Sequence, residues 1–342
     1  MRTLRNFPRN FMKEEPLPTA NGGDSYARVF YCASKPISFP CPRFAISKSH
    51  ASPRTDLIIR NITISGTYDT SAKLCIPPHG CKKTNLQVGT HGLVFDKRYW
   101  DATIDPSEYS YVEAAVTAGY SILTYDRLGT GLSEKPDAYM VVQAPLELDI
   151  LRGLTEMARS GELLQHAKSA NQSAHSTTNL GDTSVASWGL TYARESDPAL
   201  FGDRRSGYMV EGTVSALQFG FFSSQTNTTS GIGGFDPKVL DPAFSIRQTI
   251  TTSEVVSGSA LNLGPSPNYK GPVQFMLAQY DHLVCDDDCN GAYNATLVNG
   301  IFPKAKDVDF FIQNGTGHAL TLHRKANLGY KATFDWLNKN GR

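Results

Sequence analysis

The chain has no uninterrupted apolar run approaching the ~18 residues that a membrane-spanning helix needs, and this excludes such a helix. Its first residues, MRTLRNFPRNFMKEEP, lack the apolar core of a secretory signal. They are Arg-rich like a transit peptide, but Pro8, Glu14 and Glu15 oppose the long amphipathic helix such a peptide forms. An excess of one charge sign is missing too: 33 Lys and Arg stand against 32 Asp and Glu. That balance gives no electrostatic basis for a nucleic-acid or acidic-membrane partner. The GxGxxG fingerprint of dinucleotide binding is absent, as is any internal repeat. The cysteines lack the two-residue gaps of a zinc site.

What is present suits one large α/β domain with insertions: 342 residues, 40% apolar and 19% charged. Cys75 and Cys81 flank IPPHG, and Cys285 and Cys289 flank DDD. Loops this short can close disulfides, and free thiols are the alternative. Sequons occur at Asn61, Asn171, Asn227, Asn294 and Asn314, a mild excess over the roughly three expected by chance. Cysteine pairs and sequons lean towards a secreted glycoprotein, and the N-terminus does not.

Residues 1–55 are rich in Pro, Ser, Asn and Arg and read as an irregular leader. The alternation in LIIRNITISGTYDT, from Leu57, predicts a strand, with AKLCIPP, from Ala72, as its hairpin partner. NLQVGTHGL predicts a short strand running into a turn. Residues 107–118 predict a helix closed by Gly119, and YSILTYDR a buried strand. Residues 143–159 predict an amphipathic helix whose apolar face includes Leu146, Leu148, Ile150, Leu151, Leu154 and Met157. This βαβα order implies a parallel sheet covered by helices. No strand can be placed over 160–184. Residues 185–262 read as a helical and loop insertion with an aromatic run at Phe219, Phe221 and Phe222, which reads more readily as packing than as a pocket. The rhythm resumes with core strands in GPVQFMLAQYD and DVDFFIQNGTGH, then a last helix over 322–338.

Four motifs carry chemistry. In THGLVFDKRYWD, His91, Gly92 and Leu93 can turn the backbone so that N–H groups face a cleft and stabilise an oxyanion; a plain turn is the alternative. In YDRLGTGLS, Asp126, Arg127, Gly129 and Gly131 form a sharp loop fixed by an Asp–Arg arrangement, supporting a site rather than reacting in it. Asp281 follows one predicted core strand and His318 the next. Taken singly these are a surface Asp and a loop His; together they match the chain order of an acid and a base. His318 would be the general base, with Asp281 holding its tautomer.

These motifs, in this order, resemble the α/β-hydrolase family, particularly its fungal serine esterase and lipase members, from about Ile59 to the C-terminus. YDRLGTGLS is the most specific match. SWGLTYARE, GYM at 207–209, FDP at 235–237 and CDDDC also fit, whereas Ala278 stands where Gly is common. The resemblance implies an α/β-hydrolase fold over 56–342, with a mostly parallel sheet and a lid-like insertion over 185–262. It implies carboxylic-ester hydrolysis without a cofactor or metal, acting on a small apolar or aromatic ester-like substrate. One element of the family is missing. No GxSxG nucleophile elbow occurs between 134 and 281, and the strand leading into it is missing too. The nearest string is VASWG with Ser187, where Val185 replaces the first Gly and resists the strained turn. Without that strand and serine, the chain is expected to be inactive as written. The alternatives are an esterase with an unconventional nucleophile, a non-catalytic small-molecule binding protein, or an incomplete gene product.

Overall fold

A computed structural model describes residues 31–40, 64, 66–78, 85–161, 163, 189–222, 234–258, 265–285 and 288–341. Four strands form the first sheet in the order β1-β2-β4-β3: β1 (Tyr31–Pro40), β2 (Thr67–Ile76), β3 (Leu86–Thr90) and β4 (Ser121–Tyr125). β4 is SILTY, buried at every position, and such an unbroken apolar strand belongs inside a sheet covered on both faces. Ile122 packs into one core cluster with Val112, Ala115, Val116 and Trp336. Its neighbour Leu123 faces the opposite cluster with Val88, Leu146, Ile150 and Leu154. Alternation along one strand thus sets up a three-layer arrangement.

The sequence reading of this region needs three corrections. Residues 31–40, placed in the irregular leader, pair antiparallel with β2 from Tyr31↔Ile76 to Pro40↔Thr67. The hairpin expected around residues 69–71 does not exist, because Thr67–Ile76 runs as one strand; its partners are β1 and β4. Most of the strand expected from Leu57 lies outside the described residues. The helix expected over 107–118 is broken at Ser110, whose extended backbone (φ −87°, ψ 108°) ends a single turn begun at Pro106. The Ser110 hydroxyl then accepts the Glu113 N–H at 3.0 Å and caps α1 (Tyr111–Thr117). Gly119 follows at φ 90°, as a C-terminal glycine should.

α2 (Ala144–Ser160) ends on Gly161 at φ 76°. Leu146, Ile150, Leu151, Leu154 and Ala158 bury one stripe of it, each large aliphatic contributing about 1.5–3 kcal/mol. Leu148 was expected on that stripe, but it lies two residues from Leu146 and is 46% exposed.

The segment expected over 185–262 as a helical and loop insertion also holds strands among its described residues. β5 (Leu190–Tyr192), β6 (Tyr208–Glu211) and β7 (Ile250–Thr251) make a small antiparallel sheet, followed by α3 (Thr252–Gly258). Of its aromatic run, Phe221 and Phe222 are core residues, and Phe219 is 43% exposed.

β8 (Val273–Ala278) and β9 (Val308–Gln313) pair in parallel as a separate two-stranded sheet. The expectation of a mostly parallel sheet is met only at β8–β9 and β3–β4; the other described pairings are antiparallel. β8 and β9 were also expected to be core strands. Val273–Met276 and Val308–Ile312 are only half-buried. α5 (Ala326–Asn340) packs on both strands, and among the described residues no further strand extends the sheet beyond them. Between them, a single turn at His282–Cys285 forms α4. Among the described residues, no helix is long and apolar enough to cross a membrane.

Candidate active site

Parallel pairing places Asp281 and His318 side by side. Past the strand ends, Gln279 N–H donates to Gln313 O at 3.1 Å and Tyr280 N–H to Thr316 O at 2.9 Å. The two loops therefore leave the sheet together. His318 Nδ1 lies 2.8 Å from Asp281 Oδ2. The acid side chain is 8% exposed and the imidazole 30%. A buried carboxylate on Nδ1 holds the ring orientation and leaves Nε2 as the basic nitrogen; among the described residues Nε2 has no protein partner. Asp281 Oδ1 accepts Val284 N–H at 3.1 Å and so caps α4. The loop closes with a Cys285–Cys289 disulfide, Cα atoms 5.1 Å apart. Cys75 is disulfide-bonded as well; Cys81, its expected partner, lies outside the described residues.

The NGTGH loop is held at nearly every residue. Gly315 N–H donates to Gln279 Oε1 at 2.9 Å, and the Thr316 hydroxyl to Gln313 O at 2.7 Å. Ala319 N–H donates to Phe221 O at 2.9 Å, while the Phe221 ring lies 5.5 Å from the His318 ring. Gly317 N–H donates to His323 Nε2 at 2.9 Å, and His323 Nδ1 lies 2.7 Å from Ala319 O. His323 is therefore neutral with its proton on Nδ1, a role the sequence reading missed.

The His91 side chain is buried. Its Nε2 accepts Arg127 N–H at 3.0 Å and its Nδ1 lies 2.8 Å from Gly92 O. This again requires a neutral ring. The turn it begins passes through Val94 at φ 58°. Among the described residues no protein acceptor takes the N–H of Gly92 or Leu93. Phe95, just beyond them, packs edge-on against Phe221 at 5.3 Å. The Phe221 ring thus lies between Phe95 and His318.

Burial pushes the pKa of His91 and of His323 down to about 4 from 6.5, with Arg127 adding to the effect at His91. Each folded-state value lies below the unfolded one. Stability therefore falls as pH drops from 6.5 towards 4, by roughly 3 kcal/mol for each group. Histidine side-chain NMR titration should find these two of the eight histidines uncharged until about pH 4; either one charging near pH 6 would contradict the hydrogen-bond assignment.

The DRLGTGLS loop is anchored, but not by pairing Asp126 with Arg127. Asp126 is fully buried and accepts Lys97 N–H at 3.0 Å, Lys97 Nζ–H and Leu132 N–H at 2.9 Å. It thereby ties the stretch after the His91 turn to its own loop. Gly131 closes over this carboxylate at φ 48°, where an added Cβ would sit 2.3 Å from Asp126 Oδ2. Arg127 instead reaches Glu254 in α3 and Glu147 in α2. Gly129 O accepts the Thr249 hydroxyl at 2.6 Å, and Gln248 Oε1 accepts Gly131 N–H at 2.9 Å. Sequence reading missed both glutamates. Glu147 lies on the stripe 147-151-154-158, a carboxylate on an apolar face. Thr251-x-x-Glu254 has capping-box spacing, and each residue's N–H donates to the other's side chain.

Glu211 is a further buried acid. Among the described residues neither carboxyl oxygen has a hydrogen-bond partner, and burial pushes its pKa up to about 8. Ser187 lies outside the described residues. Among the described residues no cluster of three or more His, Cys, Asp or Glu is arranged to hold a metal ion.

No known family profile matches the chain, and no curated protein sequence matches it. Solved structures do. A bromoperoxidase from Bacillus anthracis superimposes with TM-score 0.49 at 15% identity, over 80% of this chain and 97% of its own. A thermophilic esterase from Thermogutta terrifontis gives 0.47 at 14%, over 87% and 98%. An epoxide hydrolase from Vigna radiata gives 0.43 at 14%, over 80% and 96%.

Proposed function

We propose that this chain is an α/β-hydrolase-type protein, related to carboxylic-ester hydrolases, that keeps the acid and base of the reaction but does not complete it. The observation that carries this reading is the 2.8 Å contact between Asp281 and His318, with a buried acid and a half-open base. Asp281 would fix the Nδ1–H tautomer, leaving Nε2 to take a proton from a nucleophile. The N–H groups of Gly92 and Leu93, which no acceptor takes among the described residues, would face the oxyanion. Phe221, beside His318, favours a small apolar or aromatic ester-like molecule. The acid–base pair needs no cofactor.

Two features favour incompleteness. The sequence carries no GxSxG between 134 and 281. Among the described residues, β3 pairs only with β4 and β8 only with β9, which leaves an edge on each where an elbow strand would pair.

The test is labelling of the purified, folded chain with a fluorophosphonate, followed by peptide mapping. No labelled serine is expected. A stoichiometric label at Ser187 or any other serine would overturn the reading in favour of an active esterase. In that case His318→Ala should lower labelling by about 10³-fold or more.

A further inference from the structure

Arg127, Glu147 and Glu254 form a buried cluster that joins three distant parts of the chain. Arg127 leaves β4, Glu147 stands in the first turn of α2, and Glu254 in the first turn of α3. All three are less than 10% exposed. Arg127 Nη2–H donates to Glu254 Oε1, and Arg127 Nε lies 3.7 Å from Glu147 Oε2. Glu254 Oε2 accepts Thr251 N–H at 2.9 Å, so both its oxygens are satisfied. Glu147 Oε1 accepts Leu128 N–H at 3.1 Å, but Oε2 receives no hydrogen bond.

The charge count is unbalanced. Two carboxylates face one guanidinium, and an uncompensated buried carboxylate costs several kcal/mol. A proton on one carboxyl removes the excess. Glu147 Oε2 is the seat for it, being the oxygen with no donor.

We infer that Glu147 stays protonated in the docked state, and that its ionisation at alkaline pH loosens the insertion from the core. The junction is concentrated there. α3 packs on α2, the Ser257 hydroxyl accepts Ala144 N–H at 2.9 Å, and the Thr251 hydroxyl donates to Val142 O at 2.7 Å. A negative charge on Glu147 would repel Glu254 across this contact.

Other charged and titratable groups surround the cluster. From the turn after β3, His91 is held neutral by burial. From β4, burial pushes the Tyr125 phenol far up. From β6, Tyr208 is raised in the same way and donates to Pro136 O at 2.7 Å; Arg204 and Asp137 face that phenol. Asp126 is turned towards Lys97. Burial raises both Glu147 and Glu254 above the ordinary carboxylate range, and Arg127 opposes the rise. With a folded value above the unfolded one, the stabilisation is complete at acid pH and is lost as pH climbs through the folded value.

Hydrogen–deuterium exchange at pH 6 and pH 9, corrected for the intrinsic chemical rate, tests the inference. Protection factors across 189–222 and 247–258 should fall about a hundredfold in the natural chain, while those of β4 and α5 hold. Glu147→Gln cannot ionise and should show no fall. If that variant does not fold, Glu254→Gln serves, since it leaves one carboxylate matched to Arg127 and should also give a flat profile. A flat profile in the natural chain, a uniform fall over the whole fold, or an undiminished fall in either variant would overturn the inference.

Discussion

Gly234→Ala is expected to lower the unfolding free energy by roughly 3–5 kcal/mol. Gly234 sits at φ 70°, and a Cβ there would lie 1.7 Å from the Gly315 carbonyl oxygen. The carbonyl oxygen is main chain and the Cβ position is fixed by the backbone, so no rotamer change relieves the overlap. Gly234 O also accepts Arg324 N–H at 2.8 Å, and Gly315 N–H is fixed by Gln279 Oε1. The insertion and the loop bearing His318 must therefore separate. Gly291→Ala is the control: φ is 79°, but nothing lies within 4 Å of its added Cβ. It should cost only the left-handed strain, about 1–2 kcal/mol. Urea unfolding of both variants measures the difference. Equal losses would mean that the close approach of Gly234 to Gly315 is not part of the folded state in solution.

Arg127→Met is expected to cost a similar 3–5 kcal/mol, for an electrostatic reason. The variant keeps most of the side-chain volume but leaves Glu147 and Glu254 without their cation in a buried site. Leaving carboxyl groups buried and unpaired is the dominant loss. Adding Glu147→Gln and Glu254→Gln to the same chain removes both ionisable carboxyl groups and should recover most of the stability, because the three residues act as one unit. Denaturant midpoints of the single and triple variants decide. A triple variant no more stable than the single one would place the loss in packing rather than in charge.

The local elements most legible in the sequence had strong, uninterrupted signals. β4 is an apolar five-residue strand, α2 combines a stripe of leucines with a C-terminal Gly161, and β8 and β9 stand between clear turn residues. Asp281 and His318 could be singled out because each lies within five residues of the end of such a strand. Pairing was less legible. Nothing in Thr67–Ile76 announces that it continues through Ser71 rather than turning, because its register is set by β1 and β4 across the sheet. The small sheet in the insertion escaped notice because strands of two to four residues carry too little periodicity. The half-burial of β8 and β9 could not be read from their apolar sequence, since burial depends on what lies beside them.

The sequence by itself determined which side chains are available: Asp281 and His318, each beyond an apolar strand, a glycine-rich loop after β4, and no GxSxG string from 134 to 281. Those are properties of residue types and spacing, and they precede folding. Only the tertiary structure decided which groups meet. It turned His91 inward as a neutral acceptor for Arg127 N–H, gave His323 the task of holding Gly317, and sent Arg127 away from Asp126 to two glutamates, 20 and 127 residues along the chain. The reason is physical. A buried polar group must find its partner within about 3 Å, and chain distance places no limit on who that partner is.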